Sequence, residues 1–288
     1  GTIVTLSAGG AGITKEGAGT LVLTGSNTYS GGTTLNAGTL VIGNTAAASS
    51  GTITQTDGTS LLKLDTTGTV TNAMSIYNVA TNQTVTLSGA ITAQNTTYDV
   101  ASGTTTTLNG TISGTGGITK NGTGTLVVEG NNSYTGNTTV NAGILQANAA
   151  NALGNSTVTV NGGSLLVTAS NTINDSKGVT LAGGTLAFNG TVSDSIGALT
   201  LSADSIIDLG TGSVTAFFAD LAMGSFNLSI YNWTGTTLWE GGDGNNTDKI
   251  YFNTVLSSSE LQKISFYSDF GSSFVGTGFQ FGSGLYQY

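Results

Sequence analysis

Cysteine, histidine, proline and arginine are all absent from this chain, and its only basic residues are six lysines. Without cysteine there is no disulfide framework and no thiolate metal site. Without histidine, neither a Ser-His-Asp triad nor a Cys-His pair can be assembled. Without arginine there is no planar fork for phosphate, and fifteen acids against six lysines leave a net charge of −9. That balance opposes binding to nucleic acid and to anionic membranes. No apolar run approaches the length of a membrane span, so membrane insertion of the chain is not expected. The missing proline fits strands with neighbours on both sides, each of which needs its N–H groups.

What is present is small and β-favouring. Glycine (45) and threonine (52) make up about a third of the 288 residues, hydrophobic residues 38% and charged residues 7%. Disordered chains combine high charge with low hydrophobicity, and this one does the reverse. Threonine, valine and isoleucine suit a pleated surface because a β-branched side chain loses little freedom there.

Two stretches, GITKEGAGTLVLTGSNTYSGGTTLNAGTL (12–40) and GITKNGTGTLVVEGNNSYTGNTTVNAGIL (117–145), agree at 19 of 29 positions without a gap. The shared residues are glycines, threonines, leucines and turn asparagines, which are not the types that do chemistry. A wider rhythm runs through Leu21, Leu40, Leu61, Leu87, Leu108, Leu126, Leu145, Leu165, Leu186 and Ile207. Its steps are nearly even, and only the one from Leu61 to Leu87 is clearly long. Short β-branched runs and Asn/Gly turns at a period near 20 predict a solenoid whose inward Leu, Val and Ile stack into one core. A leucine-rich repeat would need its own leucine pattern and helical segments, and neither is visible. The fold expected is all-β: a right-handed parallel β-helix over residues 1–210. On this reading the offset between the paired stretches is about five coils of one solenoid.

Sixteen of the 21 aromatic residues lie beyond Ser213, which places a boundary near residue 210. Residues 211–288 are expected to form an aromatic-rich C-terminal β module that caps the last coil or serves assembly. One helix is expected within SSSELQKISFYSDF (257–270). Ser257 and Glu260 would form its capping box, and Leu261, Ile264 and Phe266 or Tyr267 its apolar face.

The paired stretches resemble the autotransporter-associated β-strand repeat. Gly17, Gly19, Thr20, Leu21, Asn27, Tyr29, Gly31–Thr34 and Asn36–Leu40 carry the resemblance in the first copy. Gly122, Gly124, Thr125, Leu126, Tyr134, Thr138, Asn141–Gly143 and Leu145 carry it in the second. It implies a segment of extracellular bacterial β-helix. The glycine-aromatic tail, from SIYNWTGTTLW to GSGLYQY, resembles secreted proteins bearing a PEP-CTERM sorting tail, which again implies export. The start at Gly1, without Met, reads as a processed mature product.

The search for chemistry returns little. Catalytic β-helices need a carboxylate cluster with Lys, Arg or His, whereas here the carboxylates are scattered. Asp175 and Asp194 could be neighbours on adjacent coils, but read as solvated turn residues. The protein is therefore expected not to be an enzyme. Lys15 and Lys120, at one repeat position, read as solubilising charges that discourage edge pairing rather than as a repeated ligand contact. Tyr29 and Tyr134 read as corner packing, against stacking on sugar rings. The loop Gly241–Asp248 resembles half of a calcium loop; Asp243, Asn245 and Asp248 would be the Ca2+ ligands, against a plain Asx-rich turn. Thr pairs such as Thr157/Thr159 suggest an ice-binding lattice, but Leu35 and Val140 read as interrupting the rows.

Of three functions weighed from the sequence, a carbohydrate-active enzyme is opposed by the missing residue types, which leaves two in front of it. One is an extracellular structural protein that polymerises with itself head to tail. The open strand Thr2, Ile3, Val4, Thr5, Leu6 would pair with the C-terminal module of the next copy to form a surface or matrix fibre. The other is an adhesin-like module for polysaccharide or a surface.

Overall fold

In a computed structural model, residues 2–3, 10–233, 248–268, 274–281 and 284–287 are described; for 2–3 and 274–287 only the strand course is. The chain is a parallel β-solenoid of about 11 turns with about 20 residues per turn. The inward and outward residues of its short strands alternate, as the period of two along a strand requires. Each coil turns through three faces, here A, B and C, in constant order.

Face A stacks Ile13–Lys15, Thr33–Leu35 and Ile53–Gln55 on the first halves of Met74–Thr81 and Ile91–Val100, and then on Ile112–Ser113. Face B runs from Thr2–Ile3 through Thr20–Leu23, Thr39–Ile42 and Leu61–Leu64. It continues through the second halves of the two long strands to Ile118–Asn121, Thr138–Val140, Val158–Val160 and Val179–Leu181. Face C stacks Gly68–Val70, Val85–Leu87, Thr105–Leu108, Thr125–Val128, Ile144–Ala147, Ser164–Val167 and Thr185–Phe188.

Inward residues from successive coils make columns, such as Val70, Leu87, Leu108, Val128, Ala147, Val167 and Phe188, all essentially inaccessible. Burying a Leu or Val at this depth stabilises by about 1.5–3 kcal/mol relative to exposure, so the core is renewed coil by coil. The leucine rhythm gives the coil length but not one column: Leu62, not the half-buried Leu61, is the inward partner of Leu40, Leu87 already lies on face C, and Leu108 aligns with Val128 while Leu126 aligns with Thr106.

Parallel stacking continues beyond residue 210. Val192–Leu201 and Val214–Ala222 each run from face A to face B, Lys249–Phe252 extends face A, and Leu228–Tyr231 and Ile264–Tyr267 extend face C. Only then does the pattern change, with Phe274–Phe281 and Gly284–Gln287 adding antiparallel strands to Ile264–Tyr267 and Lys249–Phe252. The helix is a single turn, Ser258–Leu261, and both halves of its capping box form between Ser257 and Glu260. Ile264 and Phe266 do not lie on that helix. They pair with Leu228 and Ile230 in the core column, and tertiary pairing overrides the helical spacing.

The two homologous stretches do not occupy the same faces. The first places Ile13–Lys15 on A and Thr20–Leu23 on B; the second places Ile118–Asn121 on B and Thr125–Val128 on C. The offset is thus five coils and one further face. The slip falls between Leu61–Leu64 on face B and Val85–Leu87 on face C, where Met74–Thr81 runs from face A to face B as one strand, as Ile91–Val100 does in the next coil. Met74 and Ile91 are register partners, so the coil between them is shorter than the usual turn.

Candidate functional site

The shared lysine, asparagine, tyrosine and turn glycine of the two stretches have structural tasks. Lys15 and Lys120 are not surface charges: Lys15 is 7% exposed and Lys120 is 0%. Lys120 Nζ donates to the carbonyls of Asn121 (2.8 Å), Gly122 (2.8 Å) and, one coil on, Ala142 (3.1 Å). Lys15 Nζ repeats this with Glu16 (2.7 Å), Gly17 (2.6 Å) and Ala37 (3.0 Å). The turn after ITK therefore wraps its own ammonium, and the Asn-Ala-Gly turn of the next coil closes the cage. Burial lowers the Lys120 pKa to about 8, against the opposing pull of Asp99, and leaves it mostly charged at neutral pH. The glycine of that turn is required by its conformation. Gly143 has φ +66°, and a Cβ there would sit 2.4 Å from the Gly124 carbonyl oxygen.

The remaining shared positions brace the same corners. Asn27 Nδ2 donates to the Ala47 carbonyl (2.6 Å) and Asn132 Nδ2 to that of Ala152 (2.7 Å). Tyr29 and Tyr134 are buried, with hydroxyls bonded to Thr33 Oγ1 (2.6 Å) and Thr138 Oγ1 (2.7 Å). Burial pushes the Tyr134 phenol up to about 12. These rings are corner packing and present no face to a sugar. Asn121, Asn141 and Asn161 form an amide ladder of two 2.8 Å bonds along one edge.

Leu35 and Val140 do not interrupt the threonine rows, because both point inward. Thr97, Thr119, Thr139, Thr159, Thr180 and Thr200 lie in register along face B, and Thr14, Thr34, Thr54, Ser75, Thr92 and Ser113 along face A. Each row is a single file. On face B the neighbouring row reads Gly117, Asn137, Thr157, Gly178, Ala198, so no two-row lattice forms there.

The carboxylates divide sharply. Asp194 is not a solvated turn residue: it is 1% exposed and points inward, with Oδ2 accepting the amides of Thr172 (2.8 Å) and Ile173 (3.4 Å). Its Oδ1 has no partner. Burial, with a smaller push from Asp175, raises its pKa to about 7. Asp175 itself is exposed on the other side of the wall. Of the calcium-loop candidates, Asp243 and Asn245 lie outside the described residues. Asp248 is buried, and its Oδ1 accepts the Val214 amide at 3.0 Å. Among the described residues no group of three or more acids is placed to hold a metal ion. Of the assembly strand, Thr2 and Ile3 pair with Leu21 and Val22, while Val4, Thr5 and Leu6 lie outside the described residues.

The described residues also form a cleft of about 620 Å³ at the edge of face A. Ser195, Phe217 and Tyr251 occupy the same outward ladder position on three successive strands of this face. The Phe217 and Tyr251 rings stack at 4.6 Å with 8° between their planes. Beneath them Phe218 and Phe252 stack inward at 5.4 Å, which fixes the wall. Asp175 and Asn253 add polar groups to the lining. Phe217 is 43% exposed, one of few large hydrophobic residues so placed. The sequence rhythm does not reveal this group, because the step from Phe217 to Tyr251 is far longer than the usual coil.

The Passenger-associated-transport-repeat family matches residues 13–42 and 118–147, the two stretches whose caged lysines and braced corners are described above. The chain is also similar to a protein of Brucella suis biovar 1 (strain 1330) described as "Adhesin BmaC autotransporter". The two are 37% identical over 139 residues, which is 46% of this chain and 4% of that protein. The chain thus spans a small fraction of that relative's length. No solved structure matches it. No helix among the described residues is long and apolar enough to cross a membrane. Two segments of this β-solenoid, residues 13–42 and 118–147, thus match the Passenger-associated-transport-repeat, and the structure sets the two matches five coils and one face apart.

Proposed function

We propose that this chain is an extracellular, adhesin-type segment of a bacterial surface or secreted protein, a stiff stalk that carries contact surfaces away from the cell. The observation that carries the reading is the pair of passenger repeats, whose lysine, asparagine and tyrosine residues brace the corners of the solenoid. The adhesin relative supports the same role, and the resemblance of the tail to sorted, exported proteins supports the compartment. The reading is non-enzymatic: among the described residues the buried acid with a raised pKa, Asp194, faces the core and serves as a backbone cap.

The test is adhesion under flow. Microspheres coated with the purified chain should be retained on bacterial exopolysaccharide or epithelial monolayers above albumin-coated beads. Retention equal to albumin on every surface refutes the reading.

A second reading is head-to-tail self-assembly into a fibre by strand pairing at the first coil. The specific support is Thr2–Ile3, which enters face B as a parallel strand beside Leu21–Val22. Deleting residues 1–10 should then abolish polymers seen by negative-stain microscopy, and unchanged fibres would exclude this mode of assembly.

A further inference from the structure

We propose that the cleft over Ser195 is a subsite for one neutral pyranose ring of an extracellular glycan, stacked on the open face of Phe217. The proposal rests on the adhesin reading and names the chemical class that such a surface would hold.

The argument starts from the ladder. Strands in a sheet are spaced about 4.8 Å apart, and the Phe217 and Tyr251 rings, one strand apart, stack at 4.6 Å. The position on the other side of Phe217 is Ser195, which carries no ring. One π face of Phe217 is therefore covered by Tyr251, and the other looks over a serine. The stack lacks one ring-sized layer there, and the cleft occupies that place.

The lining narrows the occupant. A pyranose presents an apolar C–H face to an aromatic ring and a rim of hydroxyls around it. The groups at the rim here are the Asp175 carboxylate, the Ser195 hydroxyl and the Asn253 amide, all suited to hydroxyl partners. A hydrocarbon chain or an aromatic side chain would make no hydrogen bonds to them and would gain only from the Phe217 face. Charge disfavours the acidic alternatives: the chain carries −9 overall, and among the described lining residues the charged one is Asp175, with Lys249 further along the same face. Phosphorylated and uronic-acid rings are repelled.

Isothermal titration of the full chain with cellohexaose and maltohexaose as neutral probes, and hexagalacturonate as the anionic one, tests this. At least one neutral probe should bind with a stoichiometry of one, and hexagalacturonate at least about tenfold more weakly, in line with one unfavourable charge contact. Phe217→Leu keeps an apolar side chain but removes the π face and should weaken binding about tenfold. Ser195→Trp should fill the layer and abolish binding, with the far-UV spectrum and melting temperature of both variants unchanged. No heat with either neutral probe, or equal affinity in both folded variants, overturns the proposal, as does tighter binding of hexagalacturonate. Bead adhesion separates the two claims. Adhesion that survives in both variants removes the subsite alone, whereas loss of adhesion by the parent chain removes the adhesin reading.

Discussion

Replacing Asp194 by asparagine should flatten a pH dependence that the parent chain shows between mildly acid and neutral solution. The carboxyl is 1% exposed, one oxygen accepts two amides and the other has no partner. Its pKa stands at about 7 against an ordinary 3.8. An acid whose pKa is raised on folding keeps a proton that the unfolded chain has already lost. Its contribution is therefore complete below pH 3.8, declines as pH rises, and is lost once pH passes about 7. Each pKa unit is worth about 1.36 kcal/mol, so the gap of about three units amounts to roughly 4 kcal/mol. Asp194→Asn keeps the shape and an acceptor for the Thr172 and Ile173 amides but does not titrate. Urea unfolding of both proteins at half-unit steps from pH 4 to pH 8 gives the difference curve, from which every other titrating group cancels. Hydrogen exchange at the Thr172 and Ile173 amides reports the same event locally, which matters in a solenoid whose coils can open separately. Parallel stability curves for the two proteins, or a parent chain that gains on the variant as pH rises, would refute the reasoning.

Other substitutions test the braces. Lys120→Met strands the carbonyls of Asn121, Gly122 and Ala142 and should cost about 2–4 kcal/mol in urea unfolding, after allowing for the desolvation that the lysine itself suffers. Lys15→Met should cost less, since Lys15 keeps some contact with solvent. Gly143→Ala forces a side chain to φ +66° and into the Gly124 carbonyl, while Gly19→Ala meets nothing within 4 Å. The first should lower stability by about 2 kcal/mol or more and the second by less than about 0.5 kcal/mol. Tyr134→Phe removes one hydroxyl bond but leaves Thr138 bonded to Ser156. A loss of about 1 kcal/mol by the same assay is expected.

Much of the architecture is legible in the residues because a solenoid writes its period into its core. The leucine rhythm carries the coil length, and the lack of proline fits strands paired on both sides. The long step in that rhythm, from Leu61 to Leu87, marks the slip between faces. Leu61 belongs to a face B strand and Leu87 to face C, so the step equals one coil plus one face. The lysine cages are not legible. Their acceptors are backbone carbonyls, one of them a coil away at Ala37 or Ala142, and carbonyls have no letter in the sequence. A lone lysine between polar neighbours defaults to solvent. The helix is legible at its capping box and not in its length, because Ile264–Tyr267 gains more from the core column than from a second helical turn. The cleft is hidden because the spacing from Phe217 to Tyr251 breaks the rhythm that aligns the coils before it.

The slip of one face bears directly on function. If the repeated residues formed a binding site, two copies would need the same orientation to present equivalent surfaces to one partner. They are instead turned by one of three faces, Lys15 at the A-to-B corner and Lys120 at the B-to-C corner, with the same three-carbonyl cage at each. What the copies share is thus independent of direction and specific only to the corner. A brace has that property and a receptor site does not. On the proposed adhesin reading, recognition would fall to residues outside the repeats that are fixed to one face, and the Ser195, Phe217 and Tyr251 ladder on face A is such a group.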